Sequence, residues 1–574
     1  MGLRERLETA RRAAGEAWFR ARTVAVVGRR IGMPQTVRLP GLRVLAREAA
    51  KGKVNASLVF RFLAENDPDR LAVVEASASS RVGAPRGAHD EPPPADRTLT
   101  FRELDARMEA VGAALASRGL KKGDAALILL KNRAEFLVLQ PALNRIGVAA
   151  VTISWRSTAP EIEYIAKHAG VRAIFVDVDV AANVKAALAN LDPRVAEHAY
   201  VIAGRAEGFR SYDDLVAGAY GAAPDASDEA CVVMYTSGTT GKPKGAVRKF
   251  QKDALASALS VVGETPMVVR ERHLAVCPLY HATAFGFTAL SYLLQSTVVV
   301  LPEFRPEGFL DAVQRYRITT TALVPTMLHR ILELGPDVIR KYDTSSLKVV
   351  FTGGAALSAP LAKDFLDAFG DVLWNFYGAT ETGIVTLASP DDLRASPGTI
   401  GHVVPGVELR LLDDAGNDVK DGDVGELYTR SSMLVEGYHA DAGATNAAMR
   451  EGFFSVGDLA RRDARGCYHL EGRKRDMIIS GGVNVYPAEV EQAIEEHPRV
   501  AEVAVVGVPD REWGERVRAF VVARKGASID EGELKAHCKS RLAGPKIPRD
   551  FVVLDELPRN PTGKILKREL RERT

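Results

Sequence analysis

Tyr235-Thr-Ser-Gly-Thr-Thr-Gly-Lys-Pro-Lys-Gly, residues 235–245, follows directly on the apolar run Ala230–Met234. A buried strand therefore runs into a glycine-rich turn. Its three glycines let the backbone bend tightly and approach a ligand closely. Thr236, Ser237, Thr239 and Thr240 add hydroxyl donors, and Lys242 and Lys244 add positive charge. Backbone N–H groups, hydroxyls and ammonium groups gathered at a strand end make a cradle for polyphosphate. The kinase-type P-loop needs four residues between its first glycine and Gly-Lys, then Ser or Thr. Only two residues separate Gly238 from Gly241, and Pro243 follows Lys242, so that class of phosphotransferase is excluded.

Outward from this loop, short runs rich in Val, Ile and Ala alternate with helical stretches. Strands are expected at Ala125–Leu130, Ala149–Ile153, Ala173–Val178, Ala230–Tyr235, His273–Val276, Val298–Leu301, Thr320–Val324 and Leu347–Thr352. Helices are expected at Phe101–Arg118 and Pro160–His168. Such alternation implies doubly wound α/β lobes with a parallel sheet between helices. From about Gly398 to Gly472, turn signals such as Asp414-Ala-Gly and Asp421-Gly-Asp separate short alternating strands, which predicts a small β-barrel-like subdomain. A smaller α+β unit of about 100 residues follows. The expected division is a basic extension over residues 1–54, a large domain over 55–472 with its β-rich part at about 398–472, and a mobile C-terminal domain over 473–574. The stretch Val82–Arg97 reads as an exposed loop.

The 574 residues are 46% hydrophobic and 26% charged, ordinary for a globular protein. Net charge is +3, but residues 1–60 hold 13 Lys/Arg against 4 Asp/Glu, so the remainder is mildly acidic. A nucleic-acid binder would carry its basic face on the folded body, and that class is set aside. Leu3, Leu7, Ala10, Ala14, Ala17 and Trp18 recur at helical spacing among arginines. This basic amphipathic helix either touches an anionic membrane surface or packs on the body. No apolar run reaches the length of a membrane span, and no signal-peptide core is present, so a cytoplasmic chain with at most peripheral membrane contact is expected. Cys231, Cys277, Cys467 and Cys538 are far apart in sequence, read as free thiols, and show no zinc-ligand spacing.

The loop at 235–245 resembles the signature of the adenylate-forming superfamily, which comprises acyl- and aryl-CoA synthetases, peptide-synthetase adenylation domains and luciferases. Further segments match in the same order over about residues 55–574, and the chain is most similar to a bacterial fatty-acid–CoA ligase. The resemblance implies a role for each matching position. In Asn375-Phe-Tyr-Gly-Ala-Thr-Glu-Thr-Gly, Tyr377 would pack on adenine and Asn375 bond its edge. Gly378 would also contribute to nucleotide binding, Thr380 would meet the α-phosphate, and Glu381 would help to hold Mg²⁺. Gly354 and Ala355 would line the adenine and acyl pockets. Asp458 would bind the ribose hydroxyls, although Val456 stands where the family usually has threonine. Arg473 would also meet the ribose. Arg475 falls at the hinge, where relatives commonly have Asp or Lys, and Ser480, Gly481 and Gly482 would line the thiol channel after rotation. Lys564, within Pro558-Arg-Asn-Pro-Thr-Gly-Lys-Ile-Leu-Lys, would enter the site for the first half-reaction. His281 would stand at the mouth of the acyl pocket, where small neighbours favour a long ligand.

The implied activity is an ATP-dependent, AMP-forming acid–thiol ligase. A carboxylic acid, expected to be a medium- to long-chain fatty acid, becomes acyl-AMP plus pyrophosphate and then acyl-CoA plus AMP. Lys564, Glu381, Thr236 and His281 are the expected catalytic group, with ATP, Mg²⁺ and coenzyme A as the small molecules used. Two alternatives are a fatty acyl-AMP ligase that loads a carrier protein and an inactive lipid-binding or membrane-scaffold homologue. Intact Lys564, Glu381 and Asp458 argue against the second.

Overall fold

The computed structural model describes residues 21–50, 57–76, 96–218, 220–224, 231–236, 243–249, 254–559 and 565–573. The chain is mixed α/β, with a large N-terminal domain and a smaller C-terminal domain. All eight strands read from the sequence are present, with ends shifted by one or two residues.

One sheet of eight strands carries the glycine-rich loop. Its order is Gly437–Tyr438, Lys244–Lys249, Cys231–Thr236, Ala149–Thr152, Ala125–Leu129, Val171–Asp177, Ala199–Ile202 and Arg210–Ser211. The five strands from Ala149–Thr152 outward, and the join to Cys231–Thr236, are parallel. Ala125–Leu129 is buried at every residue, as a strand covered by helices on both faces must be. The helix Phe101–Ser117 starts on a capping box in which Thr100 and Glu103 satisfy each other's backbone N–H.

A second, 15-stranded sheet is parallel through Leu71–Glu75, Thr297–Val300, Arg272–Ala275, Thr320–Leu323, Val349–Thr352 and Leu373–Ala379. It then turns antiparallel through Gly383–Ala388, Thr399–Val403, Tyr468–Arg473, Asp458–Arg462 and Gly425–Arg430. The strands expected as a barrel-like unit thus hydrogen-bond onward from the parallel sheet, with Thr399–Val403 as the shared strand. The C-terminal domain holds five strands, among them the long hairpin Val500–Asp510 and Gly514–Ala523, with helices Pro487–Glu495 and Glu531–Lys539.

The apolar stripe from Leu3 to Trp18 lies outside the described residues. The described part of the basic extension, residues 21–50, packs on the body. Ile31 is 2% exposed in a cluster with Leu259 and Val262. Arg30 donates to the carbonyls of Val262, Gly263 and Thr265, at the C-terminal end of the helix Ala254–Gly263. A guanidinium answering the last carbonyls of a helix is favourable both as a cap and against the helix dipole.

Candidate active site

The glycine-rich loop joins two neighbouring strands. Cys231–Thr236 and Lys244–Lys249 pair antiparallel from Cys231↔Lys249 to Thr236↔Lys244. Ser237, Gly238, Thr239, Thr240, Gly241 and Lys242 lie outside the described residues, as does Lys564. Of the loop's flanks, Tyr235 bonds the ring of His168 through its hydroxyl at 2.7 Å, and burial pushes that phenol upward in pKa. Lys244 Nζ lies 3.8 Å from Asp441 Oδ2 and 5.0 Å from the Tyr438 ring centre. A side chain at 245 would strike Val233 and the Tyr235 ring at 2.9–3.0 Å, which explains glycine there.

The strand Leu373–Ala379 supplies the second group. Its alternation sends Asn375 and Tyr377 to one face. Asn375 Nδ2 donates to Thr399 O at 2.9 Å, so its carbonyl oxygen remains the acceptor. Tyr377 donates to Asp458 Oδ2 at 2.8 Å. At Gly378 a Cβ would come within 2.0 Å of the Gly383 carbonyl oxygen, so the irregular register between Tyr377 and Gly378 requires glycine. Beyond it Glu381, 9% exposed, accepts from Tyr438 Oη at 3.0 Å. Among the described residues no cation lies within ion-pairing distance of Glu381. Arg248 ties this segment down, donating to Thr380 O at 2.7 Å and Met433 O at 2.8 Å.

Asp458 and Arg473 are brought face to face by the antiparallel pairing of their strands, with Arg473 Nε 3.2 Å from Asp458 Oδ1. A carboxylate offers about four lone-pair positions, so Asp458 can accept further hydroxyls while holding both neighbours. Arg475 follows in the turn Lys474–Asp476. That turn is anchored by Lys474, whose ammonium reaches Asp414 at 2.7 Å and Glu426 at 3.1 Å.

These groups line one cavity of about 1920 Å³. Lys244, Gly354, Ala355, Asn375, Tyr377, Gly378, Thr380, Glu381, Asp458, Arg473 and Arg475 all reach it. The C-terminal domain closes one side, with Arg559 and Ile565 among its contributions. Ser480, Gly481 and Gly482 do not line this cavity; the Gly481–Gly482 turn lies against Trp513 instead.

His281 caps the helix Ala282–Leu293 and lies 4.3 Å from the Tyr280 ring, centre to centre. Burial pulls its pKa down to about 4, so the imidazole is neutral. Its Nε2 has no hydrogen-bond partner among the described residues. The same cavity is lined along this helix by Phe285, Gly286 and Leu293, and by Phe60, Phe136 and Leu137. Gly286 faces open space: a Cβ there meets no atom within 4 Å.

Arg248 and Tyr438 belong to this site and are not legible in the sequence as functional. Each is an ordinary strand residue whose importance comes from the partner it holds, Thr380 for one and Glu381 for the other.

Comparison with known proteins identifies the architecture. The AMP-binding enzyme family matches residues 60–439, and the AMP-binding enzyme C-terminal domain matches residues 489–564. The indoleacetate–CoA ligase of Aromatoleum aromaticum is 33% identical over 489 residues, covering 83% of this chain and 93% of the relative. The feruloyl-CoA synthase of an Amycolatopsis species is 34% identical, covering 83% and 94%. The long-chain-fatty-acid–CoA ligase FadD13 of Mycobacterium tuberculosis is 31% identical, covering 84% and 94%. Among solved structures, ATP-bound MatB of Rhodopseudomonas palustris superposes with a TM-score of 0.78 at 31% identity, covering 90% of this chain and 99% of that one. The flanks of the glycine-rich segment, an Asp–Arg pair and an aromatic strand line one cavity, and the family matches over both domains place this chain among the adenylate-forming AMP-binding enzymes, in their class of ATP-dependent acyl-CoA ligases.

Proposed function

We propose that the acid activated here is a medium- to long-chain fatty acid, converted to acyl-AMP and then to its CoA thioester. The observation that carries this reading is the apolar continuation of the cavity beyond His281, along a helix about 18 Å long at 1.5 Å per residue. The acids named for the relatives range from indoleacetate and ferulate to long-chain fatty acids, so the channel rather than the likeness carries the choice.

The chemistry follows from the residue types. A carboxylate oxygen attacks the α-phosphorus of ATP, the bond to pyrophosphate breaks, and acyl-AMP remains. Catalysis is positioning plus charge neutralisation. The Asn375 amide oxygen accepts from the adenine edge while Tyr377 packs on its face, and Asp458 accepts the ribose hydroxyls beside Arg473. Thr236 and the loop to Lys244, with Gly354, Ala355, Gly378 and Thr380, hold the phosphates and the reacting carboxylate. Glu381 fits a hard cation: it is nearly buried, and among the described residues the one hydrogen-bond partner of its carboxylate is the Tyr438 hydroxyl, which leaves oxygen lone pairs for a metal. Mg²⁺ bound there would offset phosphate charge. Lys564 bridges the attacking carboxylate and the α-phosphate, and the neutral His281 borders the acyl entrance. The small domain then turns about Arg475. Ser480–Gly482 comes to the site, the CoA sulfur attacks the acyl carbon, and AMP leaves.

Filling the channel tests the acid. With Gly286→Phe, kcat/KM for a long-chain acid is expected to fall about 10- to 100-fold, the cost of overpacking a fitted site. Activity on a short acid is expected to hold. Equal loss at every chain length would contradict the channel reading.

A further inference from the structure

Among the described residues, three unlike metal donors converge at one point of the β-rich region. Asp392, His402 and Cys467 place one ligand atom each within 4.8 Å of one another. Cys467 Sγ is 3.4 Å from His402 Nε2, and the same nitrogen is 3.4 Å from Asp392 Oδ1. We propose that these residues form a site for a zinc-class divalent cation, separate from the adenylation chemistry.

The distances fit that reading better than a hydrogen-bonded triad. One ring nitrogen cannot donate to sulfur and carboxylate at once, and 3.4 Å is long for N–H···O. Around a tetrahedral zinc at about 2.3 Å from sulfur and about 2.0–2.1 Å from nitrogen or oxygen, neighbouring donors stand about 3.3–3.6 Å apart. Both measured separations fall in that interval. The donors also suit the ion: thiolate and imidazole select zinc over Mg²⁺ or Ca²⁺.

Each donor is held in place by its element. Asp392 lies in the short helix Pro390–Ala395, and its other oxygen accepts from Ser389 N at 2.9 Å and Ser389 Oγ at 2.8 Å. Hydrogen bonds of this kind orient ligating carboxylates. His402 lies on Thr399–Val403 and Cys467 immediately precedes Tyr468, where those two strands pair. The turn before Cys467 is fixed by Asp463, which accepts from Cys467 N at 2.9 Å. Cys467 is 2% exposed while half of the His402 side chain is open, so water can take the fourth position. Binding displaces the thiol proton to solvent and leaves thiolate on the ion. The bound ion would clip Thr399–Val403, whose Thr399 carbonyl holds Asn375, to the strand that ends at Arg473.

The test is Co²⁺ titration of the chelator-treated full chain, followed by cobalt–thiolate charge-transfer absorption and by competition with Zn²⁺. One Co²⁺ per chain is expected, displaced by Zn²⁺. Cys467→Ser should abolish the band, and His402→Ala, at an exposed position, should weaken binding at least about tenfold. Samples of both variants free of Zn²⁺ and Co²⁺, assayed with Mg²⁺, should keep wild-type ATP–pyrophosphate exchange, which reports their folding. Absence of a thiolate band in the wild type, or an unchanged band in Cys467→Ser, overturns the proposal.

Discussion

Lys564→Ala should lower acid-dependent adenylation by about a thousandfold while leaving thioester formation from supplied acyl-AMP close to wild type. The first half-reaction joins two anions. An ammonium about 4 Å from one of them, at the effective dielectric of a protein site near 20, offsets roughly 4 kcal/mol by that contact alone, or about three powers of ten in rate. Removing one preorganised transition-state donor elsewhere costs 10²–10³, the same order. The flanks of the segment fit this role. Arg559 and Ile565 form an antiparallel bridge, Leu566 N donates to Pro558 O at 2.8 Å, and both bridging residues line the cavity. In the mechanism proposed above, the second half-reaction would follow a turn of the small domain that withdraws Lys564. Single-turnover assays of the two steps measure this directly. Equal loss in both would assign Lys564 to general stability.

Asp458→Ala is expected to raise KM for ATP by at least about a hundredfold with a smaller change in kcat. Two hydrogen bonds from ribose hydroxyls to a charged acceptor are worth about 1.5–3 kcal/mol each, and the ribose does not change charge during the reaction. Interactions equal in ground and transition states appear in KM rather than kcat. The same change strips Tyr377 of its acceptor and Arg473 of its counter-charge. Asp458→Asn separates these effects, since it keeps an acceptor oxygen and loses the charge. It should recover part of the ATP affinity. An unchanged KM for ATP in Asp458→Ala would remove this residue from the nucleotide site.

The parallel sheets were legible because buried strands between helices read as continuous apolar runs. Ala125–Leu129 and Thr320–Leu323, every residue buried, are of that kind. The residues expected to serve adenylation stand out because they cluster within short motifs, and Asn375, Tyr377, Glu381, Asp458 and Arg473 among them line one cavity. What escaped were partners brought together only by pairing. Tyr438 meets Glu381 57 residues away in sequence, and Arg248 meets Thr380 132 residues away. Asp392, His402 and Cys467 escaped for the same reason: their spacing matches no ligand motif, and only the pairing of Thr399–Val403 with Tyr468–Arg473 brings two of them side by side. For the basic extension the sequence left two readings open, an anionic surface or packing on the body, and the stripe Leu3–Trp18 that carries them lies outside the described residues. Further along, Arg30 donates to three helix-end carbonyls, because a guanidinium can cap a helix as readily as meet an anionic surface.

The most direct test is acid-dependent ATP–pyrophosphate exchange across short- to long-chain fatty acids and aryl acids, with product analysis in the presence of CoA. Exchange that requires an acid, is strongest with medium- to long-chain fatty acids, and yields acyl-CoA when CoA is added is the expected result. No exchange with any acid would contradict adenylation itself, and exchange confined to aryl acids would contradict the fatty-acid assignment. Acyl-AMP accumulating unchanged in the presence of CoA would point to a different thiol acceptor.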